Sequence, residues 1–322
     1  MGAGRQNRRR RTALSARLND AVGDSHDADA GPVVQGVLLR EELIRLRQQC
    51  GFTQKEVARS LEWHPSKVIR IEGGKTPLRK VDLEALLRLY RVDDPGPLNW
   101  LRRLHVAARR RGWWDAYKSD VGETYLAYLG FEAGASVIRQ FQGLVVPDLL
   151  QTAEYAQALD EEHNRRTSSA GPASARVDVL MRRQQGRLAR TTPLRCFFVL
   201  DEAVIQRLVR NPAGELIMPA QLRHIADTAA GDDLVSVAVL PFGSGDHPGI
   251  HQPAFTLLEF AGPLEDLLHL GNHNEGVLLR GENAPIATYR DLFADLIALA
   301  YSPADSLQLL RDVADAMDRQ QT

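Results

Sequence analysis

The sequence predicts a protein of two domains: a small all-α domain of five helices, followed by a larger α+β domain. Three observations support this prediction. Apolar residues repeat at helical spacing from about residue 37 to about residue 111. Runs rich in β-branched and aromatic residues, typical of strands, begin near residue 194. The chain of 322 residues, with 44% hydrophobic content, is also long enough to bury two cores.

The net charge of -1 hides a strong asymmetry between the two parts of the chain. Residues 1–118 contain 24 Lys and Arg against 14 Asp and Glu, whereas residues 119–322 contain 16 against 27. The basic part therefore suits a polyanion, and the acidic part repels one. The alternative is that surface charge only keeps each part in solution.

Residues 1–34 show no apolar periodicity and are expected to form a disordered arm. An arginine cluster is followed by an acidic stretch, and these residues are Arg5, Arg8, Arg9, Arg10 and Arg11, then Asp20, Asp24, Asp27 and Asp29. Such an arm could add nonspecific phosphate contacts, or its acidic stretch could shield the basic one. It could equally be a solvated tail without function.

Five helices are predicted between residues 35 and 111, which we assign to the first domain. The first runs from about Val37 to Cys50, the fourth from about Arg79 to Tyr90, and the fifth begins near Pro95. The second and third lie within residues 51–75, GFTQKEVARSLEWHPSKVIRIEGGK, and are joined by a tight turn. Two short helices at this spacing are typical of a helix-turn-helix.

The third helix has clear ends in the sequence. His64 occupies the capping position and Pro65 the first helical position, where its missing N–H costs nothing. Gly73 and Gly74 end the helix, because glycine accepts the left-handed conformation that closes a helix without strain. The helix is therefore only about two turns long, a length that suits a reader of base edges.

Residues 112–322 are assigned to the second domain, in which helices and strands are mixed. Helices are predicted over about 122–141, 148–162, 173–190, 215–229, 285–301 and 303–318. Strands are predicted over 194–200, 234–240 and 254–260, with weaker ones near 266–270 and 276–280. This mixture predicts the α+β class. Trp113 and Trp114, at the start of the domain, could stack on bases, but burial against the second domain is the better interpretation.

No run of 18 apolar residues is present to span a bilayer, and the arginine-rich start lacks the apolar segment of a secretion signal. We therefore expect a cytoplasmic protein that does not bind membranes. Cys50 and Cys196 are interpreted as buried small hydrophobic residues, not as a disulfide or a metal site. We expect no cofactor and no metal.

Residues 38–90 resemble an XRE-type helix-turn-helix domain, the class that includes phage repressors. The resemblance rests on Leu39, Arg40, Leu46, Arg47, Gly51, Phe52, Thr53, Gln54, Val57, Ala58, Leu61, Val68, Ile71, Glu72, Gly74 and Lys75. It implies a transcriptional regulator, taken here as a repressor, that binds double-stranded DNA. Because one short helix contacts few bases, we expect a homodimer that places two such helices about one DNA turn, roughly 34 Å, apart.

The same resemblance assigns contacts with DNA to individual residues. It places the Gln54 amide against a phosphate, and in the third helix it turns Ser66, Lys67 and Arg70 outward. Arg70 is the first choice for a base contact, since a guanidinium can bind guanine O6 and N7 bidentately. The remaining DNA-binding candidates are Thr53, Lys55, His64, Lys75, Arg79 and Lys80, of which the last three are expected to hold phosphate.

Three of these contacts have a plain alternative. Arg70 could pair with a neighbouring acid, Lys67 could simply be solvated, and Gln54 could be only a polar residue of the first turn. Two other residues are explained structurally by the resemblance: Arg47 and Glu72 are expected to form a partly buried ion pair that joins the first helix to the third.

The tight turn of the motif departs from the family at one position. The family usually has glycine where this chain has Glu62, because the turn requires a left-handed residue. A non-glycine residue in that conformation would cost roughly 1–3 kcal/mol.

Four segments of the second domain resemble the antitoxin-like C-terminal domain of unknown function that follows such a module in many actinomycete developmental regulators. They are GWWDAY (112–117), VPDLLQTAEYAQAL (146–159), RRQQGRL (182–188) and PFGSGDHPGIHQPAFTLLEF (241–260). Some members of that family are encoded beside a small partner protein. Asp148 stands where the family commonly has glycine, a departure with no clear consequence in the sequence.

Two binding functions compete for the second domain. The first is protein interaction or dimerisation, because an acidic surface cannot add to DNA affinity and is free for another partner, such as a small co-encoded protein. The second is sensing of a small-molecule effector, since an α+β domain behind a DNA reader is a common place for a ligand cavity.

A third function, catalysis, has the least support. The spacings that could hold a metal are found at His247, His251 and the adjacent Asp246, and at His269 and His273. A metal site needs three or four converging ligands, and these residues are expected in loops. Hydrogen-bonded loop histidines are the better interpretation, so we predict no catalytic residue and no enzyme.

Overall fold

The computed structural model describes residues 31–167, 173–271, 276–281 and 283–320. The chain divides into two compact units after Gly112. The first unit also includes Ala261–Leu264, and the second comprises the rest of the chain from Trp113 onward. The predicted arm over residues 1–30 and the candidate His273 lie outside the described residues.

The five helices predicted for the first unit are present. They are α1 (Pro32–Gln49), α2 (Gln54–Ser60), α3 (Pro65–Glu72), α4 (Lys80–Leu89) and α5 (Pro95–Ala108). Helix α1 packs against α5, and α2 packs against α3. Their apolar stripes meet in one core, whose most buried members include Val57, Leu83, Leu87, Leu101 and Leu104. The 3.6-residue period therefore locates the helices correctly.

The start of α1 corrects the predicted arm. The arm was expected to reach residue 34 and the first helix to begin near Val37, but the helix begins at Pro32. Proline suits the first helical position because it has no N–H to leave unbonded. Val34, only 2% exposed, already belongs to the core. Burial of this extra turn explains why the helix begins before the clear part of the apolar pattern.

The second unit contains a six-stranded sheet, in agreement with the predicted α+β class. The strands are β1 (Val137–Gln142), β2 (Arg195–Asp201), β3 (Val235–Leu240), β4 (Phe255–Glu259), β5 (Leu267–Leu270) and β6 (Val277–Leu279). Their order across the sheet is β3-β2-β1-β4-β5-β6. Strands β1, β2 and β3 are parallel, whereas β4, β5 and β6 each run antiparallel to the preceding neighbour in this order.

Helices surround this sheet. They are α6 (Glu123–Glu132), α7 (Ala153–Thr167), α8 (Ala173–Leu188), α9 (Glu202–Gln206), α10 (Met218–Gly231), α11 (Ile286–Leu299) and α12 (Pro303–Arg319). Helix α11 covers one face, where Phe293 and Leu296 join a core that includes Phe141, Val199 and Phe255. None of the described helices is long and apolar enough to cross a membrane.

One predicted element was wrong. The pattern over residues 122–141 was interpreted as a helix, but helix α6 ends at Glu132 and β1 begins at Val137. Strand β1 is hydrogen-bonded to β2 on one side and to β4 on the other. Its buried positions include Gln140 and Gln142, so the segment lacks the apolar run by which the other strands were predicted.

The two cysteines differ from each other. Cys196 on β2 is fully buried, as predicted, and burial raises the pKa of its thiol to about 12. Cys50 was also expected to be buried, but it lies exposed just after α1. The predicted stripe ended one residue too late, because Cys50 is the cap that follows the helix, where its thiol donates to Tyr90 O at 3.5 Å.

The tryptophans at the start of the second unit lie in a short 3-10 helix, Trp113–Tyr117. Trp114 is buried, as predicted, while Trp113 is half-buried. The Arg182 guanidinium lies 5.3 Å from the centre of a Trp113 ring, a cation–π contact within the second unit. The packing of both rings favours a structural role over stacking on bases.

Candidate nucleic-acid interface

Helix α2 begins with a capping box. The Thr53 hydroxyl accepts a hydrogen bond from the Glu56 backbone N–H at 3.2 Å, and the Glu56 carboxylate accepts one from the Thr53 backbone N–H at 2.8 Å. These bonds from Thr53 lower the pKa of Glu56. The Thr53 Oγ1 also lies 2.8 Å from Glu56 Oε2, so its hydrogen is used within the cap. Thr53 is thus engaged in starting α2.

The turn between α2 and α3 keeps the left-handed geometry of the family despite its glutamate. Glu62 has φ 56°. The next residue, Trp63, donates its backbone N–H to Ala58 O at 2.8 Å, which closes α2. Glu62 therefore adopts the left-handed conformation that the turn requires, and it carries the backbone strain that glycine would avoid.

Helix α3 has the ends that the sequence predicts. His64 Nδ1 accepts the Ser66 backbone N–H at 3.3 Å, and Ser66 Oγ lies 2.7 Å from the same nitrogen. Pro65 occupies the first helical position. Of the two glycines at the other end, Gly74 is the left-handed one, with φ 70°. The two-turn length follows from these signals.

The expected ion pair between α1 and α3 is present. Arg47 Nε donates to Glu72 Oε1 at 2.7 Å, and Arg47 Nη2 donates to Glu72 Oε2 at 3.1 Å. Arg47 Nη1 also donates to Phe52 O at 2.9 Å. The Gln54 amide nitrogen donates to Glu72 Oε2 at 2.8 Å. Gln54 therefore belongs to the network that orients α3.

Lys67 is held between two elements of the first unit. Its Nζ lies 2.6 Å from Asp82 Oδ1 on α4 and 3.7 Å from the centre of the Trp63 ring. Lys67 is consequently not a simply solvated side chain. The ion pair holds α3 against α4, and the cation–π contact holds Lys67 against the turn before α3. Both would have to break before Lys67 could reach a phosphate.

Arg70 remains the best placed candidate for base recognition. Its side chain is exposed on α3, and it forms no ion pair within the residues that the structure describes. The alternative in which a neighbouring acid occupies Arg70 is thus not realised. Four more basic candidates are exposed as well: Lys55, Lys75, Arg79 and Lys80.

One exposed residue of α3 is absent from the predicted candidates. Ile69 is 54% exposed, while Val68 and Ile71 are buried. The helical period that turns Val68 and Ile71 inward also turns residue 69 outward, so spacing alone could have identified it. An isoleucine was overlooked because the candidates were chosen for charge and hydrogen bonding.

A buried ionic cluster lies in the second unit. Arg183 on α8 donates to Glu132 at 2.9 and 2.7 Å, to Asp148 at 2.7 Å and to the Tyr125 hydroxyl at 3.0 Å. Burial raises the pKa of Tyr125. Asp148, whose departure from the family had no clear consequence in the sequence, therefore supplies a second carboxylate to a buried arginine.

Polar side chains also line one face of the sheet beside this cluster. Gln140 on β1 is in register with Thr256 on β4, and Thr256 with His269 on β5. All three are buried, and the Tyr128 ring lies 5.0 Å from the His269 ring. Gln142 follows on the same face of β1, 5% exposed, and no residue that the structure describes donates a hydrogen bond to its Oε1.

The histidines proposed as weak metal candidates are separated. His247 Nε2 lies 3.1 Å from Asp201 Oδ2, which agrees with the hydrogen-bonded interpretation. His251 is exposed, and His269 lies on strand β5, not in a loop. Among the described residues, no group of three or more His, Cys, Asp and Glu side chains could hold a metal ion.

Comparison with family models gives two matches. A helix-turn-helix domain matches residues 38–99, and a domain of unknown function, DUF5753, matches residues 125–312. The second match covers more than half of the chain. No curated protein matches the sequence.

Proposed function

The chain belongs to the family defined by the DUF5753 domain and carries a helix-turn-helix domain ahead of it, and from this we propose that it regulates transcription by sequence-specific binding to double-stranded DNA. The observation that carries the proposal is the exposed Arg70 on α3, a two-turn helix that is anchored to its neighbours. A guanidinium at this place can bind a guanine edge bidentately.

The anchoring of α3 supports specific binding over general attraction. A base contact discriminates only when the side chain arrives at a set position, and Glu72, bonded to Arg47 and Gln54, sets the orientation of the helix. The basic excess of residues 1–118 would supply the sequence-independent part of the affinity. A contact with DNA by Thr53, Gln54 or Lys67 would require rearrangement of their bonds to Glu56, Glu72 and Asp82, respectively.

Selection from a random duplex library with the purified full-length chain tests this proposal. We expect one enriched motif in two inverted half-sites, with centres about one helical turn apart. The affinity for the enriched site should fall steeply as salt rises, because counterions compete for phosphate. If no duplex sequence is preferred over random duplex at moderate salt, the proposed function is wrong.

We further propose that the regulator is a homodimeric repressor and that its second unit supplies the contact with a partner. An apolar patch, defined by Phe242, Ile297, Leu299 and Tyr301, is exposed on this unit, with Phe242 at 60%. The Ser244 hydroxyl donates to Leu299 O at 3.3 Å, which brings the Phe242 loop next to the end of α11. Exposed large apolar side chains grouped on neighbouring segments favour a protein interface.

A second copy of the chain is the partner that DNA recognition by one short helix calls for. A small co-encoded protein is the other occupant that the patch could accept. Light scattering of the purified chain, alone and after co-expression with the protein encoded next to it, distinguishes the two.

Effector sensing by the second unit is the alternative function, and one observation favours it. Gln142 Oε1 is a buried acceptor without a donor among the described residues, on the polar face of the sheet that also carries Gln140, Thr256 and His269. A buried acceptor of this kind costs free energy unless a donor reaches it. Thermal unfolding of dialysed protein with a panel of cell metabolites tests this function, and absence of any shift would count against it. Neither function assigns a catalytic step to the chain.

A further inference from the structure

Helix α3 presents an exposed aliphatic side chain beside the exposed Arg70. Ile69 is 54% exposed, three residues after Ser66 and next to Arg70. Residues three apart on a helix lie on the same side, so Ser66, Ile69 and Arg70 share the outward face. The inward positions, Val68 and Ile71, are buried in the core of the first unit.

The fold gives no reason for an isoleucine at this position. Exposed Ile69 contributes little to the core, and a β-branched residue is a poorer helix former than alanine, lysine or glutamate. An apolar side chain in water also forgoes the gain that burial would bring. The isoleucine on the outward face of α3 is therefore available for a contact with another molecule.

Two polar side chains near Ile69 on α3 already have partners in the first unit. Lys67 is engaged by Asp82 and Trp63, and Ser66 lies within hydrogen-bond distance of His64. Among the described residues, Arg70 forms no ion pair and Ile69 is 54% exposed, so these two large side chains of the outward face are available for a contact. Beside the guanidinium, which suits guanine, the outward face thus offers an aliphatic group to the base edges.

The major groove contains one apolar group that such a side chain can recognise. Thymine presents its C5-methyl there, whereas cytosine, adenine and guanine present hydrogen-bonding groups. We propose that Ile69 is a specificity-determining residue that contacts a thymine methyl group, so that each half-site contains a thymine read by Ile69 and a guanine read by Arg70. This inference rests on the proposed function, since it assigns bases to the same helix.

Deoxyuridine provides the test, because it differs from thymidine only by the missing methyl group. In the duplex selected by the wild-type chain, each thymine is replaced in turn by deoxyuridine and the affinity is measured at fixed salt. At one thymine of the half-site we expect the affinity to fall by about fourfold, the effect of one buried methyl-sized group. The Ile69→Ala variant should bind thymine and deoxyuridine equally at that position.

The control is Val106→Ala, which removes a similarly exposed aliphatic side chain from α5. This variant should keep the wild-type preference for thymine over deoxyuridine. Circular dichroism and binding to random duplex at low salt show that each variant is folded and retains its electrostatic affinity.

Two results would overturn the inference. One is a wild-type chain that prefers a sequence but shows no penalty for deoxyuridine at any thymine. The other is an Ile69→Ala variant that loses as much affinity as the wild-type chain when thymine is replaced by deoxyuridine. This result would overturn the inference even if the variant had a changed oligomeric state. Both differ from failure of the proposed function, in which the wild-type chain selects no sequence at all.

Discussion

At the scale of single residues, backbone strain is confined to a few positions. Within the described part of the chain, the non-glycine residues with left-handed backbone are Glu62 and Arg91. Each follows the end of a helix, α2 or α4, where one residue must reverse the chain direction. The surrounding core fixes these turns, so the local cost is tolerated.

Replacing Glu62 by glycine should stabilise the first unit. Relief of the left-handed strain is worth roughly 1–3 kcal/mol, and the greater freedom of glycine in the unfolded chain offsets roughly 0.5–1 kcal/mol of it. We expect a net gain of about 1 kcal/mol in the free energy of unfolding, measured by urea denaturation. Glu62→Ala removes the carboxylate but keeps the Cβ, so it should show no such gain. Equal stability of the two variants would contradict this explanation.

The ion pair between Arg47 and Glu72 should be costly to break. Glu72→Ala leaves the largely buried Arg47 guanidinium without its charged partner, with only its bond to Phe52 O, and removes the acceptor of the Gln54 amide. We expect a loss of roughly 3–5 kcal/mol in the free energy of unfolding. The matched control is Glu84→Ala, because Glu84 pairs with the exposed Arg102. Loss of this pair should lower the free energy of unfolding by about 1 kcal/mol or less. Similar losses for the two variants would show that burial does not determine how much these ion pairs contribute to the free energy of unfolding.

At the scale of elements, α3 is held at three places. The His64 cap fixes its start, the Lys67–Asp82 pair fixes its middle against α4, and the Arg47–Glu72 pair fixes its end against α1. Few side chains of so short a helix therefore remain for recognition. Gln54 and Lys67, which are predicted to contact DNA, also take part in this support.

Arg70→Ala and Lys75→Ala should have different effects on binding. Loss of a bidentate guanine contact by Arg70→Ala should weaken binding to the selected site by about 5- to 150-fold, with little change on random duplex. Loss of a phosphate contact by Lys75→Ala should weaken binding to both and reduce the slope of log affinity against log salt by about 1. Fluorescence anisotropy at several salt concentrations measures both. An equal loss on selected and random DNA for Arg70→Ala would remove its assigned role.

At the scale of the whole molecule, the two units carry opposite charge. The basic excess lies in residues 1–118, ahead of the acidic remainder. An acidic second unit is repelled by phosphate, so its exposed surface is available for a protein partner. The apolar patch of Phe242, Ile297, Leu299 and Tyr301 is the part of that surface best suited to such a contact.

Changing this patch should alter the oligomeric state. We expect Phe242→Glu to convert the dimer to monomer in light scattering, because a charge would be buried without a partner at the interface. Leu188→Glu places the same charge at an exposed leucine outside the patch, also on the second unit, and should leave the dimer intact. The proposed dimer would be refuted by a wild-type chain that is monomeric both free and on DNA, and the patch by a Phe242→Glu variant that remains dimeric.

Sequence-based prediction succeeded where a local pattern, either helical periodicity or a short apolar run, indicates the element. Helices α1 to α5 were located from periodicity and caps, which are signals within a few residues, and strands β2 to β6 from short apolar runs. Strand β1 was missed because its buried positions include Gln140 and Gln142, so it has no continuous apolar run. The candidate Arg70 was found by resemblance, whereas Ile69 was overlooked although its spacing indicated exposure.

What the sequence by itself determined is the local structure of the reading motif: the capping residues, the inward apolar stripe and the two-turn length of α3 depend on neighbours in the chain. What only the tertiary structure decided is which polar groups are already bonded. Lys67 meets Asp82 across 15 residues, Gln54 meets Glu72 across 18, and Asp148 meets Arg183 across 35. These bonds form only when separate elements pack together, because a side chain's partner depends on its position in space and not on its position in the chain.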